Sequence, residues 1–355
     1  MMKVASVSFW HLHGTDYARD AQAHPELDLV CLWDEDPERG VAGAAQHDIP
    51  YVSDLDDILD DAEIDGVIVC NPTAEHLDVV LRCIRAGKHV FMEKVISASL
   101  AEASTIVQEA RAAGVALVVS LWRSDRGYTT QIAELVESGV VGEVTSARVR
   151  DGHPFALPAD GRPDGTLPDR FWDPTEAKGG VLIDLCHPLY LLARIVGTPQ
   201  SVVGTFGHVT GRRTEDNAAV LLSYPNGAIG IAETSSVTRI TPFTIEVHGT
   251  EGSILYSEPG IGALVAARNG GGPARGDGPD ERPRLRVRST RTGTTGWQEV
   301  DVRPDASPAL CQWVEQMKTG ERGNGNLELG LALSAIVEAA YESVTQQRAV
   351  AVPAV

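Results

Sequence analysis

The segment from Gly87 to Lys94 contains the residues best suited to chemistry. After Gly87-Lys88 it continues as an apolar run and ends in two charges, Glu93 and Lys94. A short buried strand that ends in a lysine can present the ammonium group to a cleft at the carboxyl end of a parallel sheet. Because desolvation disfavours the charged form, such an amine can share or lose its proton near neutral pH. The alternative is a Glu-Lys pair on a solvated loop, and this segment alone leaves both interpretations open.

A second group of polar residues recurs at intervals of three: Asp184, His187 and Tyr190. Residues three apart share a face of a helix, and Pro188 favours a helix start near His187. An acid, an imidazole and a phenol in such a cluster could bind and deprotonate a hydroxyl group. Alternatively, Asp184 caps the helix and His187 is a hydrogen-bonded core histidine.

His11 and His13 form a third candidate group, in the turn after the first apolar run. Two imidazoles can bind a metal ion, but this loop has no carboxylate or cysteine neighbour in the sequence, so no metal site is expected. Trp10 and the two histidines either shape the turn or help the backbone amides to hold a phosphate through their ring N–H groups.

The elements that must position these residues alternate between strand and helix up to about residue 122. The spacing predicts strands at 4–9, 27–33, 65–70, 89–92 and 115–120, and helices at 15–23, 76–86 and 99–113. Ser99 is the expected N-cap of the last helix, with Glu102 at the capping-box position. The alternation predicts an α/β Rossmann-type domain, a doubly wound parallel sheet, over residues 1–122.

A sheet of this kind often binds a dinucleotide through a Gly-x-Gly-x-x-Gly turn. Here Ser8, Trp10 and His13 stand at the glycine positions, and Gly14 follows. Asp34, after the second strand, would accept hydrogen bonds from the adenosine ribose and favour NAD over NADP. Its alternative is a solvated turn, and Arg39 nearby keeps NADP possible.

The pattern changes after about residue 145. A strand at 145–150 leads into a Gly/Pro/Asp-rich loop at 152–178, a length typical of substrate walls. Strands then dominate, and Tyr224-Pro225-Asn226-Gly227 is a hairpin signal. We predict a C-terminal α+β domain with a large, mostly antiparallel sheet over residues 123–355, whose final helix and strand could pack back on the first domain. An open sheet face predicts a homodimer or homotetramer.

Composition excludes several classes of function. Lys and Arg number 30 against 49 Asp and Glu, a net charge of −19 that argues against a nucleic-acid partner. No apolar run is long enough to span a membrane. The five scattered cysteines and the start of the chain, which has no signal-peptide pattern, favour a reducing cytoplasm.

These motifs together resemble the Gfo/Idh/MocA oxidoreductase family. The resemblance lies in Asn71-Pro72-Thr73 with His76, in residues 87–94, 139–144 and 246–252, and in Gly179-Gly180 followed by Asp184 and His187. It implies an NAD(P)-dependent dehydrogenase or reductase that interconverts a hydroxyl and a ketone on a sugar, inositol or related polyol or glycoside. The chain departs from the family in the replaced glycines, in Val95 where proline is usual, and in an Asp-to-His interval of three residues with Tyr190 in place of a common aspartate.

The resemblance also implies roles for single residues. Lys94, Asp184 and His187 match the family's catalytic and substrate-binding trio. His187 is the first candidate for general acid/base, Lys94 would stabilise charge on the same oxygen, and Tyr190 is an alternative proton donor. Trp122, Arg123, His153 and Trp172 could line the sugar site. The expected cofactor-binding residues are Ser8, Trp10, His11, Leu12, His13, Asp34, Asn71, Pro72, Thr73, His76, Glu93 and Lys94.

Two other functions remain compatible with the sequence. The first is a non-catalytic ligand sensor on the same fold, which the replacement of the Gly-x-Gly-x-x-Gly glycines favours. An NAD-retaining enzyme that cleaves glycosides with redox assistance would use the same residues.

Overall fold

The computed structural model describes residues 1–159, 161–258, 282–321, 323 and 325–355, and the chain divides into two compact units. The first unit contains Met1–Trp122 and Ser307–Ser334. The second contains Arg123–Ala306 and Ala335–Val355. None of the described helices combines the length and the hydropathy needed to cross a bilayer.

The described strands and helices alternate first and then give way to a strand-rich region, as the sequence pattern predicts. The strands are β1 (Met2–Val7), β2 (Leu27–Trp33), β3 (Tyr51–Val52), β4 (Gly66–Val69), β5 (His89–Met92), β6 (Leu117–Val119), β7 (Val144–Gly152), β8 (Ser201–Gly207), β9 (Asn217–Ser223), β10 (Ile229–Ser235), β11 (Phe243–Gly249), β12 (Gly252–Glu258), β13 (Arg284–Ser289), β14 (Gln298–Val300) and β15 (Val350–Ala351). The α-helices are α1 (His13–Ala23), α2 (Pro37–His47), α3 (Leu55–Leu59), α4 (His76–Arg85), α5 (Leu100–Ala113), α6 (Gly127–Glu137), α7 (Val181–Asp184), α8 (His187–Val196), α9 (Ala309–Thr319) and α10 (Asn326–Gln346).

The first unit is built on a six-stranded sheet in the order β3-β2-β1-β4-β5-β6, with every pair parallel. The chain winds outward from β1 in one direction and then in the other, so the predicted doubly wound sheet is confirmed. Parallel strands buried on both faces carry nearly continuous apolar runs. Accordingly, every residue of β4 is buried, as is all of β5 except its first residue.

Trp313 of α9 completes the core of this unit. Its ring lies 6.0 Å from that of Phe91 in β5. A Cβ at Gly66 would stand 2.7 Å from the Trp313 ring, so β4 needs glycine there for the indole to fit. Residues far apart in the chain therefore build one core, which sequence periodicity does not reveal.

The predicted capping box of α5 is wrong. Ser99 occupies the N-cap position, but its side chain makes no capping hydrogen bond. The Ser97 hydroxyl instead donates to Glu102 at 2.5 Å and accepts the Ser99 amide hydrogen at 3.1 Å. Ser97, two residues before the N-cap, therefore takes the hydrogen bond with Glu102 that a capping box would give to Ser99.

The second unit contains a nine-stranded sheet in the order β14-β13-β12-β11-β7-β10-β9-β8-β15. The β7–β10 pair is parallel and the other pairs between its described strands are antiparallel, which confirms the mostly antiparallel sheet. The Asn-Gly hairpin joins β9 to β10 as predicted, with Gly227 at φ +85°. At the end of the chain, β15 pairs with β8 in this sheet.

Candidate active site

The carboxyl edge of the first sheet collects the residues predicted to bind a cofactor. Ser8 follows β1, Asp34 follows β2, Asn71 follows β4 and Glu93-Lys94 follows β5. Because the strands are parallel and neighbouring, these residues lie along one edge, where open α/β sheets bind ligands.

The turn between β1 and α1 satisfies much of its own hydrogen bonding. Ser8 has φ +71°, in the left-handed region that glycine adopts without cost. Its hydroxyl accepts the Trp10 amide hydrogen at 2.9 Å, and the His11 amide donates to the Cys70 carbonyl at 3.0 Å. The serine therefore has the backbone conformation expected of the replaced first glycine. Its hydroxyl also accepts the Trp10 amide hydrogen, which could otherwise donate to a phosphate. Leu12 is exposed on this turn.

Asp34 is fully engaged within the protein. One carboxylate oxygen accepts hydrogen bonds from Arg39 Nη2 at 2.6 Å and the Asp36 amide at 2.9 Å. The other accepts from Arg39 Nε at 3.0 Å and the Phe9 amide at 2.7 Å. The solvated-turn alternative is thereby excluded, and Asp34 must exchange a partner before it can bind a ribose.

A second carboxyl group, Glu35, follows β2 and was not selected in the sequence analysis. Its Oε2 atom is buried and has no hydrogen-bond partner among the described residues. Burial, together with the neighbouring Asp34 charge, raises the pKa of Glu35 to about 7. Arg39 contacts Glu35 at 2.5 Å but also pairs with Asp34 and Asp36, so one guanidinium is shared among three carboxyl groups.

The Asn71–His76 segment shapes the edge beside Lys94. Asn71 is buried, and its Oδ1 accepts no hydrogen bond in the described part of the chain. Pro72 and Thr73 are also buried and lead into α4. The His76 Nδ1–H donates to the Val95 carbonyl at 2.9 Å, and Nε2 lies 3.2 Å from the Asn71 carbonyl. His76 therefore holds the backbone after Lys94, where the Lys94–Val95 peptide bond is cis.

Glu93 is the centre of a buried polar cluster. Its carboxylate lies 3.2 Å from His13 Nδ1, 3.9 Å from His11 Nε2 and 3.5 Å from Lys94 Nζ, and it accepts a short hydrogen bond from Tyr17. Burial opposes its ionisation, but His11, His13 and Lys94 together hold the pKa of Glu93 well below its usual range. The expectation that the two histidines lack a carboxylate neighbour is wrong, since Glu93 reaches them from 80 residues along the chain.

Lys94 is buried rather than solvated. Its side chain and that of Glu93 are each 2% exposed. The loop-pair alternative is excluded, and the ammonium group lies at the carboxyl end of β5, as the catalytic interpretation requires.

In the second unit, His187 and Tyr190 share one helix but Asp184 does not. Asp184 ends α7, whereas His187 begins α8 with Pro188 in the first turn. Leu185 between them has φ −103° and ψ 49°, which breaks the predicted common face. His187 Nδ1 lies 3.0 Å from the Tyr190 hydroxyl, which also accepts the Arg123 amide hydrogen at 3.2 Å.

Asp151 also belongs to this cluster, although the sequence analysis did not select it. It lies near the end of β7, 3.3 Å from Arg123 Nε and 3.4 Å from His153 Nε2. Burial opposes its ionisation, yet Arg123, His153 and His187 hold the pKa of Asp151 well below the usual range. Neither Asp151 oxygen and neither His153 nitrogen has a hydrogen bond of normal geometry to another described residue.

Arg123, Trp172 and Trp122, also predicted for the substrate site, differ in their surroundings. Arg123 is fully buried, donates to Tyr128 at 2.8 Å and Glu258 at 2.9 Å, and stacks on Phe243. Trp172 is buried beneath the Arg212 guanidinium. Trp122 is half-buried after β6 in the first unit. The strands of the first sheet thus lead to the candidate cofactor residues, and α8 carries the acid/base candidates His187 and Tyr190.

A cavity of about 280 Å³ lies elsewhere in the first unit, at the amino-terminal end of β6. The Arg111–Glu328 ion pair, at 2.6 Å, lies in its wall. None of the predicted site residues lines it. The candidate site is therefore defined by the polar residues at the carboxyl edge of the first sheet and around His187, and not by this cavity.

Comparison with known proteins places both units in one family. Residues 9–121 match the model of the GFO/IDH/MocA oxidoreductase family with an NAD-binding Rossmann fold, and residues 129–255 match the GFO/IDH/MocA C-terminal domain. The myo-inositol 2-dehydrogenase of Thermotoga maritima is 29% identical over 57% of this chain and 59% of that protein. The 1,5-anhydro-D-fructose reductase of Ensifer adhaerens is 28% identical over 64% and 68%. The chain thus spans about two thirds or less of these relatives' lengths.

Solved structures match over nearly the whole chain. A levoglucosan dehydrogenase in complex with NADH and levoglucosan has a TM-score of 0.78 at 18% identity, covering 99% of both chains. GenD2 from gentamicin A biosynthesis, in complex with NAD, has a TM-score of 0.78 at 24% identity, covering 99% of this chain and 97% of that one. At such identities the likeness establishes the fold.

Proposed function

This chain belongs to the Gfo/Idh/MocA family of NAD-binding oxidoreductases, and we propose that it interconverts a hydroxyl group and a ketone on a sugar, inositol or related polyol. The sugar and inositol oxidoreductases among its relatives support this substrate class. The observation that carries the proposal is the buried Lys94 ammonium group at the carboxyl edge of the Rossmann sheet.

The residues of this edge fit a dinucleotide. Glu35 Oε2 and Asn71 Oδ1 are buried acceptors without a hydrogen-bond partner in the described part of the chain, and hydroxyl or amide hydrogens of NAD would satisfy them. A Cβ at Gly14 would stand 2.8 Å from the Phe9 ring, so a glycine is required for α1 to pack closely after β1. Bound nicotinamide would supply the hydride acceptor or donor.

His187 is the proposed general acid/base. With the ring hydrogen on Nδ1 donating to Tyr190, Nε2 is the basic nitrogen and can take the proton of a substrate hydroxyl. Tyr190 is fully buried, and burial raises its pKa well above the ordinary value, so it stays protonated. We therefore assign Tyr190 to positioning His187 rather than to direct proton donation.

Lys94 is proposed to donate a hydrogen bond to the same substrate oxygen. Its positive charge stabilises the negative charge that develops as the proton leaves, and the Glu93 carboxylate at 3.5 Å favours the charged amine. Asp151 and His153 are buried polar groups with unmet hydrogen-bonding capacity, and further hydroxyls of a polyol would meet it. Asp184 is proposed to orient the substrate.

A substrate panel tests this function. Inositols, hexoses, sugar acids and glycosides are each mixed with the protein and NAD or NADP, and absorbance is followed at the nicotinamide band. We expect reduction of NAD by at least one polyol class. The proposal is overturned if no member reduces either cofactor and no ketone oxidises the reduced forms.

The Trp10 and His11 amides in the turn after β1 already have hydrogen-bond acceptors within the protein, and this favours a second candidate function, the non-catalytic sensor. If the Trp10 and His11 amides remain with their internal acceptors, affinity for NAD falls. The absorbance spectrum of the purified protein separates the alternatives. Nucleotide that co-purifies favours the NAD-retaining, glycoside-cleaving type, whereas failure to bind any added cofactor favours the sensor.

We also propose a homo-oligomer formed through the second sheet. Val203, Leu221 and Ile229 are exposed apolar residues on the neighbouring strands β8, β9 and β10. A contiguous apolar face of this kind marks an interaction surface. The five cysteines are all thiols, which fits the proposed cytoplasmic location.

A further inference from the structure

The cluster around Glu93 contains the donor set of a metal site. His11, His13 and Glu93 each offer one ligand atom, and these atoms lie within 4.8 Å of one another. Two imidazoles and one carboxylate bind zinc in three-ligand sites that keep a fourth position for water. We propose that His11, His13 and Glu93 bind a divalent first-row transition metal ion such as Zn²⁺.

The distances suit a tetrahedral ion. Bonds of about 2.0–2.1 Å at tetrahedral angles separate ligand atoms by roughly 3.3 Å. His13 Nδ1 lies 3.2 Å from one Glu93 oxygen, and His11 Nε2 lies 3.9 Å from the other. The two imidazole rings have centroids 4.5 Å apart. Only small side-chain adjustments therefore bring the three ligands onto one ion.

Glu93 supplies an independent indication of a ligand. Its side chain is 2% exposed, and Oε1 accepts no hydrogen bond from any described residue. A buried carboxylate oxygen left without a hydrogen bond is costly, and coordination would satisfy it. The Tyr17 hydroxyl bonds Oε2 and lies 2.6 Å from Ser120 Oγ, which holds the carboxylate in place as outer partners of metal ligands do.

Two contacts within the cluster compete with metal binding and must be lost or weakened when the ion binds. His11 Nδ1 accepts the His13 amide hydrogen at 3.2 Å, so binding through Nε2 shifts the ring hydrogen to Nδ1 and gives up this long contact. Lys94 Nζ, 3.5 Å from Glu93 Oε1, competes for the same carboxylate. The ion and the charged lysine thus share Glu93, and the metal-bound form should be less active than the metal-free one.

The site is open enough to load. His13 is 35% exposed at the start of α1, whereas His11 and Glu93 are buried behind it. Water and an entering ion can reach the fourth position past this ring. The inference goes beyond the proposed redox reaction and needs no substrate to test, so either can fail while the other stands.

The test is a Co²⁺ titration of the full chain after treatment with a chelator. Tetrahedral Co²⁺ absorbs strongly in the visible range, and we expect one ion per chain that Zn²⁺ displaces. His13→Gln and His11→Gln should each weaken binding by about 100-fold or more, since even outer-shell changes cost 10- to 100-fold. His24→Gln is the matched control, because His24 lies outside the cluster at the end of α1 and should leave binding unchanged.

Circular dichroism and thermal unfolding of each variant establish that it is folded. His13 is partly exposed, so its variant should fold even if the His11 variant does not. The proposal is overturned if the wild-type protein shows no tetrahedral Co²⁺ signal up to about 1 mM, a weak-binding limit, or if both cluster variants bind as the wild type does.

Discussion

Tyr190 determines which nitrogen of His187 faces a substrate in the proposed mechanism. Its hydroxyl contacts His187 Nδ1 and accepts the Arg123 amide hydrogen, and both contacts are buried. The sequence predicted a phenol near an imidazole from their three-residue spacing. It did not predict that the phenol is sealed from solvent, because burial depends on strands packed over α8 from elsewhere in the chain.

Tyr190→Phe should therefore damage proton transfer more than substrate binding. We expect kcat to fall about 10- to 100-fold and the pH–rate profile to move, with KM nearly unchanged, because His187 loses the partner that sets its tautomer. The loss of the buried hydrogen bonds of the Tyr190 hydroxyl should also cost about 1–3 kcal/mol of stability.

Tyr224→Phe is the control for this change. Tyr224 is also buried, but its hydroxyl has no hydrogen-bond partner in the described part of the chain. Its replacement should alter neither kcat nor the pH profile. A Tyr190→Phe enzyme with wild-type kcat and pH profile would contradict the positioning role.

Glu35 should make the fold sensitive to pH. The folded protein holds the Glu35 proton up to about pH 7, whereas an unfolded chain releases it near the ordinary glutamate pKa of 4.5. Between these values the folded state binds more protons, so the free energy of unfolding falls as pH rises from about 4.5 to 7. The difference between the two pKa values corresponds to about 3 kcal/mol.

Glu35→Gln should remove this loss. The free energy of unfolding of the wild type and of the variant is measured by chemical denaturation at pH 5 and at pH 8. The difference between the two proteins at each pH gives the contribution of Glu35. Glu38→Gln, at an exposed residue in the neighbouring helix α2, is the control and should behave as the wild type. Equal pH dependence in the wild type and Glu35→Gln would show that Glu35 titrates normally in the folded state.

At the scale of elements, the turn between β1 and α1 has Ser8 in a left-handed backbone conformation where a glycine of the Gly-x-Gly-x-x-Gly pattern would stand. Ser8→Gly should relieve a left-handed backbone that costs a non-glycine residue about 1 kcal/mol, and should release the Trp10 amide. We expect NAD to bind several-fold more tightly, as measured by calorimetry, with little change in thermal stability.

Ser8→Ala separates these two effects. It releases the same amide but keeps the Cβ and the strain, so it should also bind NAD more tightly while losing stability. If neither variant changes NAD affinity, the Ser8 hydroxyl does not compete with the cofactor for the Trp10 amide.

The elements themselves were largely predictable, because buried parallel strands and amphipathic helices leave local patterns of apolar residues. The strands β4 and β5 and the Asn-Gly hairpin are examples. The pairing of Asp34 with Arg39, the meeting of Glu93 with two histidines, and the place of Asp151 beside His153 were not predicted. Glu93 and the two histidines are brought together by tertiary packing from about 80 residues apart. The Asp34–Arg39 and Asp151–His153 pairs are close in the sequence, but they depend on side-chain orientations that burial selects and that a residue pattern does not encode.

At the scale of the whole molecule, the exposed face of the second sheet should govern assembly. Val203 and Leu221 face each other across β8 and β9, and Ile229 lies on the next strand. Leu221→Lys places a charge in this apolar face, so we expect an oligomeric wild type and a dissociated variant by analytical ultracentrifugation.

Leu12→Lys is the control for assembly, since Leu12 is a similarly exposed apolar residue outside that sheet. A wild-type protein that sediments as a monomer, or a Leu221→Lys variant that assembles normally, would refute the proposed interface.

Turnover by Lys94→Ala and His187→Ala, measured beside NAD binding by the same preparations, is the decisive measurement for the proposed chemistry. A polyol that the wild type oxidises is followed at the nicotinamide band, with Lys318→Ala and His24→Ala as controls at residues outside the site. We expect both site variants to lose turnover by roughly 10³-fold or more while NAD affinity changes little. Near-normal turnover in both variants would contradict the assignment of Lys94 and His187 to the chemistry.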